Sequence, residues 1–232
     1  MRYLIFYTLL LIVVNPSTAQ PSILLSKIAG SSAVDQYNIA SQLRKFPPEA
    51  FTDVDRSNLG ELLFSDQVQH LDRYFLLTGY LKMQETLRSI NKDVLTSEKL
   101  KRSYNLALIR AGDTQKGDLL LGKIRTMDYD DDFVYDVVPL LIYTHNRNIY
   151  DFLIELTLRP NTNCLPPDPH REGAIDCGYR MMEYLAPVLV DFPIELDAGG
   201  DLKTNNYRSA LTEVREWLRR HRNNYQIVTN RY

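Results

Sequence analysis

Along most of the chain apolar residues return at spacings of three and four, while alternation with a period of two is scarce, a pattern that predicts an all-α protein. Between 100 and 111, Leu100, Tyr104, Ala107, Leu108 and Ala111 make one apolar stripe, closed by the helix stop Gly112-Asp113. The next segment, 114–125, carries Leu119, Leu120 and Ile124 and is predicted to turn back on the first. A second hairpin follows. Its first helix, 130–143, opens with acids that suit a helix N-terminus and carries Val134, Val137, Val138, Leu141 and Ile142; its second, 147–158, carries Ile149, Phe152, Leu153 and Leu156. A third unit is expected from 177–190, with Met181, Met182, Leu185, Val188 and Leu189, and from 206–222, with Tyr207, Leu211, Val214 and Leu218 on one face. Between them runs a longer excursion, 192–204, holding Pro193 and Gly199-Gly200.

Before residue 100 the pattern is looser. Short helices are predicted over 34–45 and 58–64, separated by Phe46-Pro47-Pro48. A longer one is predicted over 67–90, with Val68, Leu71, Phe75, Leu87 and Ile90 inward and Gly79 as its candidate break.

The first residues follow another rule. Arg2 precedes a run, 3–14, that is apolar except for Thr8, and Pro16 then ends the run before the small residues Ser17 and Ala19. Charged, hydrophobic and small-residue regions in that order predict a cleaved secretory signal, 1–19, with the mature chain starting at Gln20. The run is shorter than the roughly 20 apolar residues a spanning helix needs, and no later segment approaches that length, so no membrane span is expected in the mature chain.

The two clearest hairpins also match each other. Laying Leu108-Ile109 and Asp113 over Leu141-Ile142 and Asn146, and Leu120 over Leu153, gives one common offset, 141 − 108 = 33 residues. Val138-Pro139-Leu140-Leu141 and Ala186-Pro187-Val188-Leu189 each place a proline before aliphatics, and Tyr207-Arg208-Ser209-Ala210 opens a helix with an Arg and small residues. In these features 103–218 resembles the HEAT family of helical repeats, from which Ile149-Tyr150-Asp151 departs by lacking the Arg. The resemblance implies stacked antiparallel helical hairpins, an α-solenoid, and nothing about catalysis, because that family is defined by packing. A proline inside a helix kinks it whatever the family. The expected organisation is a leader, 1–19, an N-terminal helical region, 20–100, and HEAT-like hairpins over 101–232, with a disulfide-closed loop at 164–177.

Composition narrows the classes. About 210 residues remain after the leader, enough for one domain with its own core. Loss of Arg2 takes the formal charge from -2 to -3, too close to neutrality for a broad polyanion-binding surface, so no nucleic-acid partner is expected. Cys164 and Cys177 are the only cysteines, and in an exported chain they are read as one disulfide closing a proline-rich loop. The alternative is a metal site from Cys164, His170 and Cys177 with Asp168 or Asp176, which lacks a standard spacing. The chain has no Asn-x-Ser/Thr sequon with a permitted middle residue, which favours a bacterial envelope, periplasmic or extracellular.

Few constellations support chemistry. Asp128-Tyr129-Asp130-Asp131-Asp132 begins like a calcium loop, but Phe133 stands where the loop needs Gly and Pro139 where it needs a bidentate Glu, so a turn and helix N-terminus is expected. His70, His145, His170 and His221 are scattered without an i, i+4 pair. There is no nucleophile elbow, phosphate loop or dinucleotide fingerprint, and no cofactor is called for. Arg215, Arg219, Arg220 and Arg222 cluster in the last helix, where positive charge complements the helix dipole; the cluster is also the candidate contact for an acidic partner or an envelope glycan. Trp217 among them reads either as an interface anchor or as packing beside Leu218. The sequence therefore points to a non-enzymatic protein-protein interaction module or scaffold of the cell envelope. The alternative is an envelope enzyme or a glycan- or peptide-binding protein with its site near the 164–177 and 192–204 loops.

Overall fold

The computed structural model describes residues 20–166 and 173–229; the predicted leader, and Asp168 and His170 of the alternative metal set, lie outside them. Among the described residues there are eleven α-helices and no strand, only three isolated bridges. The helices are α1 (Pro21–Leu25), α2 (Ala33–Leu43), α3 (Asp53–Leu62), α4 (Leu71–Tyr80), α5 (Gln84–Arg88), α6 (Glu98–Arg110), α7 (Thr114–Ile124), α8 (Val138–Tyr143), α9 (Arg147–Leu158), α10 (Gly178–Leu185) and α11 (Tyr207–His221). The all-α expectation is met. None of these helices is long and apolar enough to cross a membrane.

Side-chain caps start most of the longer helices, each satisfying a donor the first turn leaves free. Asp113 accepts from Lys116 N, Asn146 from Ile149 N and Asn206 from Ser209 N, while Thr52 and Asp55 form a reciprocal capping box on α3. Ahead of α8 the backbone widens into a π turn, Phe133–Val137. Pro139 has no N–H to return to the turn before it, and the wider geometry falls where that bond is missing.

Two series of helices are in contact. α2, α4, α6, α8 and α10 touch in succession, and so do α7, α9 and α11; within the pairs α4–α5, α6–α7, α8–α9 and α10–α11 the partners also touch. The tightest crossing is α4 on α6. A Cβ at Gly79 would stand 2.6 Å from Ala107 Cα and 2.5 Å from Tyr143 Oη, so only glycine allows the two backbones to approach this closely. Gly79 therefore lies inside α4 and does not break the 67–90 segment. The break falls at Leu81–Met83, where Lys82 takes φ 60°.

Three of the turns pass through a residue of positive φ. Lys82, Gly112 and His145 all have positive φ (60°, 110° and 48°) and each stands two residues before a helix begins. At the first two, paired bonds close the helix end: Met83 N to Thr78 O with Lys82 N to Gly79 O, and Asp113 N to Leu108 O with Gly112 N to Ile109 O. Two residues before each positive φ stand Tyr80, Arg110 and Tyr143. The Arg110 guanidinium lies between the two rings, 5.0 Å from the Tyr80 centroid and 4.9 Å from that of Tyr143, and its Nη1 donates to Tyr143 O at 2.5 Å. Lys82 Nζ donates in turn to Arg110 O.

Beyond α9 the chain is joined by longer-range links. Cys164 and Cys177 are fully buried with their Sγ atoms at bonding distance and their Cα atoms 5.1 Å apart. The 192–204 excursion packs down on the core through Leu202 and through Phe192, whose ring meets Trp217 at 5.8 Å. The segment after α11 pairs with the chain that follows α10, Val190 N to Gln226 O and Val228 N to Val188 O.

Candidate functional site

The stretch that closes the disulfide loop runs extended because its inward-facing amides are used. Ile175 N bonds to Cys164 O at 2.7 Å and Cys177 N to Asn161 O at 2.8 Å. Asp176 then serves two neighbours: Oδ1 accepts from Gly178 N at the start of α10, and Oδ2 pairs with Arg215 Nη2 at 2.7 Å. Arg215 also donates to Thr157 O and Arg159 O, so it ties α11 to the end of α9. From the other side, Asp131 Oδ2 accepts from Leu165 N, and Asn161 donates to Tyr129 O. The Tyr129 hydroxyl is held well above its usual pKa, first by burial and then by the Asp176 charge.

This framework borders a cleft of about 810 Å³. One wall is the loop (Thr162, Pro166 and Gly173 to Asp176), the second is α10 (Tyr179, Arg180, Glu183), and the third is the entry to α11 (Asn205 to Arg208). On α10 the apolar face takes Met181, Met182 and Leu185 into the core, which turns Arg180 and Glu183 outward one helical turn apart. Their charges meet at 3.7 Å, and Tyr207 Oη donates to Glu183 Oε1 at 3.1 Å. The Tyr207 hydroxyl is pushed above its usual pKa by burial first, then by the Glu183 charge. Tyr179 and Tyr207 meet edge to face at 6.3 Å. Arg180 Nε is buried without a hydrogen-bond partner among the described residues, and its guanidinium lies 5.6 Å from the Tyr135 ring. Arg208, exposed on the first turn of α11, makes no ion pair with any described residue.

The basic cluster read from the sequence divides. Arg215 is turned inward on Asp176, and Trp217 is buried against Phe192 and stacked on His221 at 4.5 Å. Arg219, Arg220 and Arg222 are exposed, outside the cleft. The helix dipole alone does not place Arg215: an internal carboxylate holds it. Within the 128–132 acids, Asp130 caps Phe133 N and Asp131 holds the loop, which is the turn and helix start expected there. Among the described residues no group of three or more His, Cys, Asp or Glu side chains could hold a metal. The two sulfurs of the alternative metal set are instead joined to each other. His70 and His145 occupy positive-φ turns, and His221 lies against Trp217 O at 2.9 Å.

The cleft residues Tyr179, Arg180, Glu183 and Arg208 were not singled out by sequence as a site. The available signal was the Arg180/Glu183 pair at i, i+3 on the polar face of α10; nothing in the sequence joins it to Tyr207 or to the loop at 162. No family model matches the chain, nor does any curated protein or solved structure.

Proposed function

We propose that this chain is an exported helical-repeat protein, HEAT-like in architecture, that acts as a non-enzymatic interaction module of the cell envelope. Two series of contacting helices, three turns of positive φ, and Arg110 and Tyr143 one 33-residue offset apart support the repeat reading. A buried cysteine pair at bonding distance and the predicted leader support export into an oxidising compartment.

The observation that carries the binding reading is the cleft between the disulfide loop and the last hairpin. It is large enough to bury several side chains of a partner, and its two carboxylates are already engaged, Asp176 by Arg215 and Glu183 by Arg180 and Tyr207. Groups so engaged suit recognition better than proton transfer, which needs a carboxylate free to gain and lose its proton.

The test is a photo-cross-linking amino acid placed at Tyr207 and, as a control, at Leu119, which is exposed on α7 away from the cleft. After irradiation in envelope extract of the source organism, Tyr207 should yield a discrete protein adduct and Leu119 none. Equal adducts from both positions, or none from either, would remove the reading. Turnover of an envelope glycan or peptide that Glu183→Gln abolishes would replace it with the enzymatic alternative.

A further inference from the structure

We infer that the cleft takes an extended, acidic peptide segment, paired along the backbone of 174–176 and holding one carboxylate between Arg180 and Arg208. This deepens the interaction-module reading and rests on it.

The backbone argument comes from alternation. In an extended chain successive amides point to opposite sides. Ile175 N and Cys177 N turn inward to Cys164 O and Asn161 O, so the alternate amides, those of Ala174 and Asp176, turn outward. Ala174 and Asp176 both line the cleft, and neither N–H meets an acceptor among the described residues. The disulfide holds this stretch extended from behind. An outward edge of free amides, fixed in place, accepts an added strand, whose main chain supplies the acceptors.

The charge argument selects what the strand carries. Of the four charged side chains on the walls, Asp176 is matched by Arg215 from outside the cleft, and Glu183 is matched by Arg180. Arg208 is left over. Arg180 Nη1 stands 3.7 Å from Glu183, beyond hydrogen-bond distance, so the Nη groups of both arginines have donors to offer. Guanidinium groups recognise carboxylates through paired N–H donors, which favours an Asp or Glu on the incoming segment.

The test is a phage-displayed random heptapeptide library panned on the full chain and on Arg208→Glu. Selection on the native chain should enrich sequences with one fixed Asp or Glu among β-forming residues. The winning peptide, synthesised with a fluorescein label and followed by anisotropy, should bind at least tenfold more weakly to Arg208→Glu. Its acid-to-amide version should lose as much on the native chain. Arg208 makes no side-chain contact that the fold uses, so Arg208→Glu should keep the native melting temperature, and a Lys in place of the peptide's acid should restore part of its binding. Winners without a fixed acid, indifference to Arg208→Glu, or no enrichment at all would overturn the inference. Binding of uronate-containing oligosaccharides in place of peptides would do the same. If the Tyr207 cross-link survives in Arg208→Glu while no acidic peptide is selected, the interaction module stands and the acidic strand falls.

Discussion

Between Leu71 and Leu158 neighbouring helices meet close to the backbone, through Gly79 on Ala107 and Arg110 between Tyr80 and Tyr143, and each turn is closed by bonds within a few residues. Beyond Leu158 the links are single point connections: Cys164 to Cys177, Asp176 to Arg215, Arg215 to Thr157, and Arg147 to Tyr225 O. In the first region many contacts between neighbouring helices share the stability. The second depends on a few point connections around one irregular loop, and the cleft lies among them. A loop needs such ties where its own apolar content is small, and the ties leave amides and arginines in fixed positions facing outward.

The largest expected effect is therefore on the second region. By the chain-entropy account, a ring of 13 residues contributes about 3 kcal/mol. Cys164→Ser with Cys177→Ser should lower stability by up to that amount in a denaturant titration. Hydrogen exchange should show the loss first in 159–229, with 98–158 still protected. Equal deprotection of both regions would mean that they are not held in different ways.

The next effect falls on the first region. Gly79→Ala puts a methyl 2.6 Å from Ala107 Cα and 2.7 Å from Ala107 O, against backbone that cannot rotate away. The clash should cost about 2 kcal/mol net, since overpacking outweighs alanine's better helix propensity. A melting temperature equal to or above the native value would show that α4 and α6 can slide apart without penalty.

How far the sequence revealed this architecture follows the same division. The stripe from Leu100 to Ala111 and the stop at Gly112-Asp113 were legible because each is a local rule: period and a positive-φ helix end. The cysteine pairing was legible because only two cysteines exist. Gly79 reads as a break in isolation, since helix propensity cannot show that another backbone lies against it; Lys82, an ordinary helix former, gives no warning of φ 60°. Arg110 stands at the end of an apolar stripe, where a cation is expected at the surface, and it is buried because two tyrosines from other helices, Tyr80 of α4 and Tyr143 of α8, enclose it. One wall of the cleft, the 164–177 loop, was singled out by its length, whereas the other walls were illegible for a related reason: Thr162, Arg180 and Arg208 become neighbours only when α9, α10 and α11 pack together.

The smallest effect at neutral pH is expected at His145, and it grows only as pH falls. His145 lies in the third of the positive-φ turns, beside the Tyr150 ring at 6.1 Å and near the charges of Arg110 and Lys82. Burial first, then Arg110 and then Lys82, drive its pKa from 6.5 down to about 3. Lys82 is itself shifted below its usual value by burial and by Arg110, so the cluster disfavours any further positive charge. A folded pKa below the unfolded one means that the fold holds the neutral imidazole. The contribution is full above pH 6.5 and is lost progressively as pH falls from there toward 3, because the unfolded chain takes up the proton and the folded chain resists it. His145→Asn keeps a side chain tolerant of positive φ and cannot titrate in this range. Urea titrations at pH 8 should give native and variant chains nearly the same stability, whereas at pH 5 the native chain should have lost more. Parallel decline of the two from pH 8 to pH 5 would show that His145 is open to solvent and that the junction of the second and third turns is looser than the helices on either side of it.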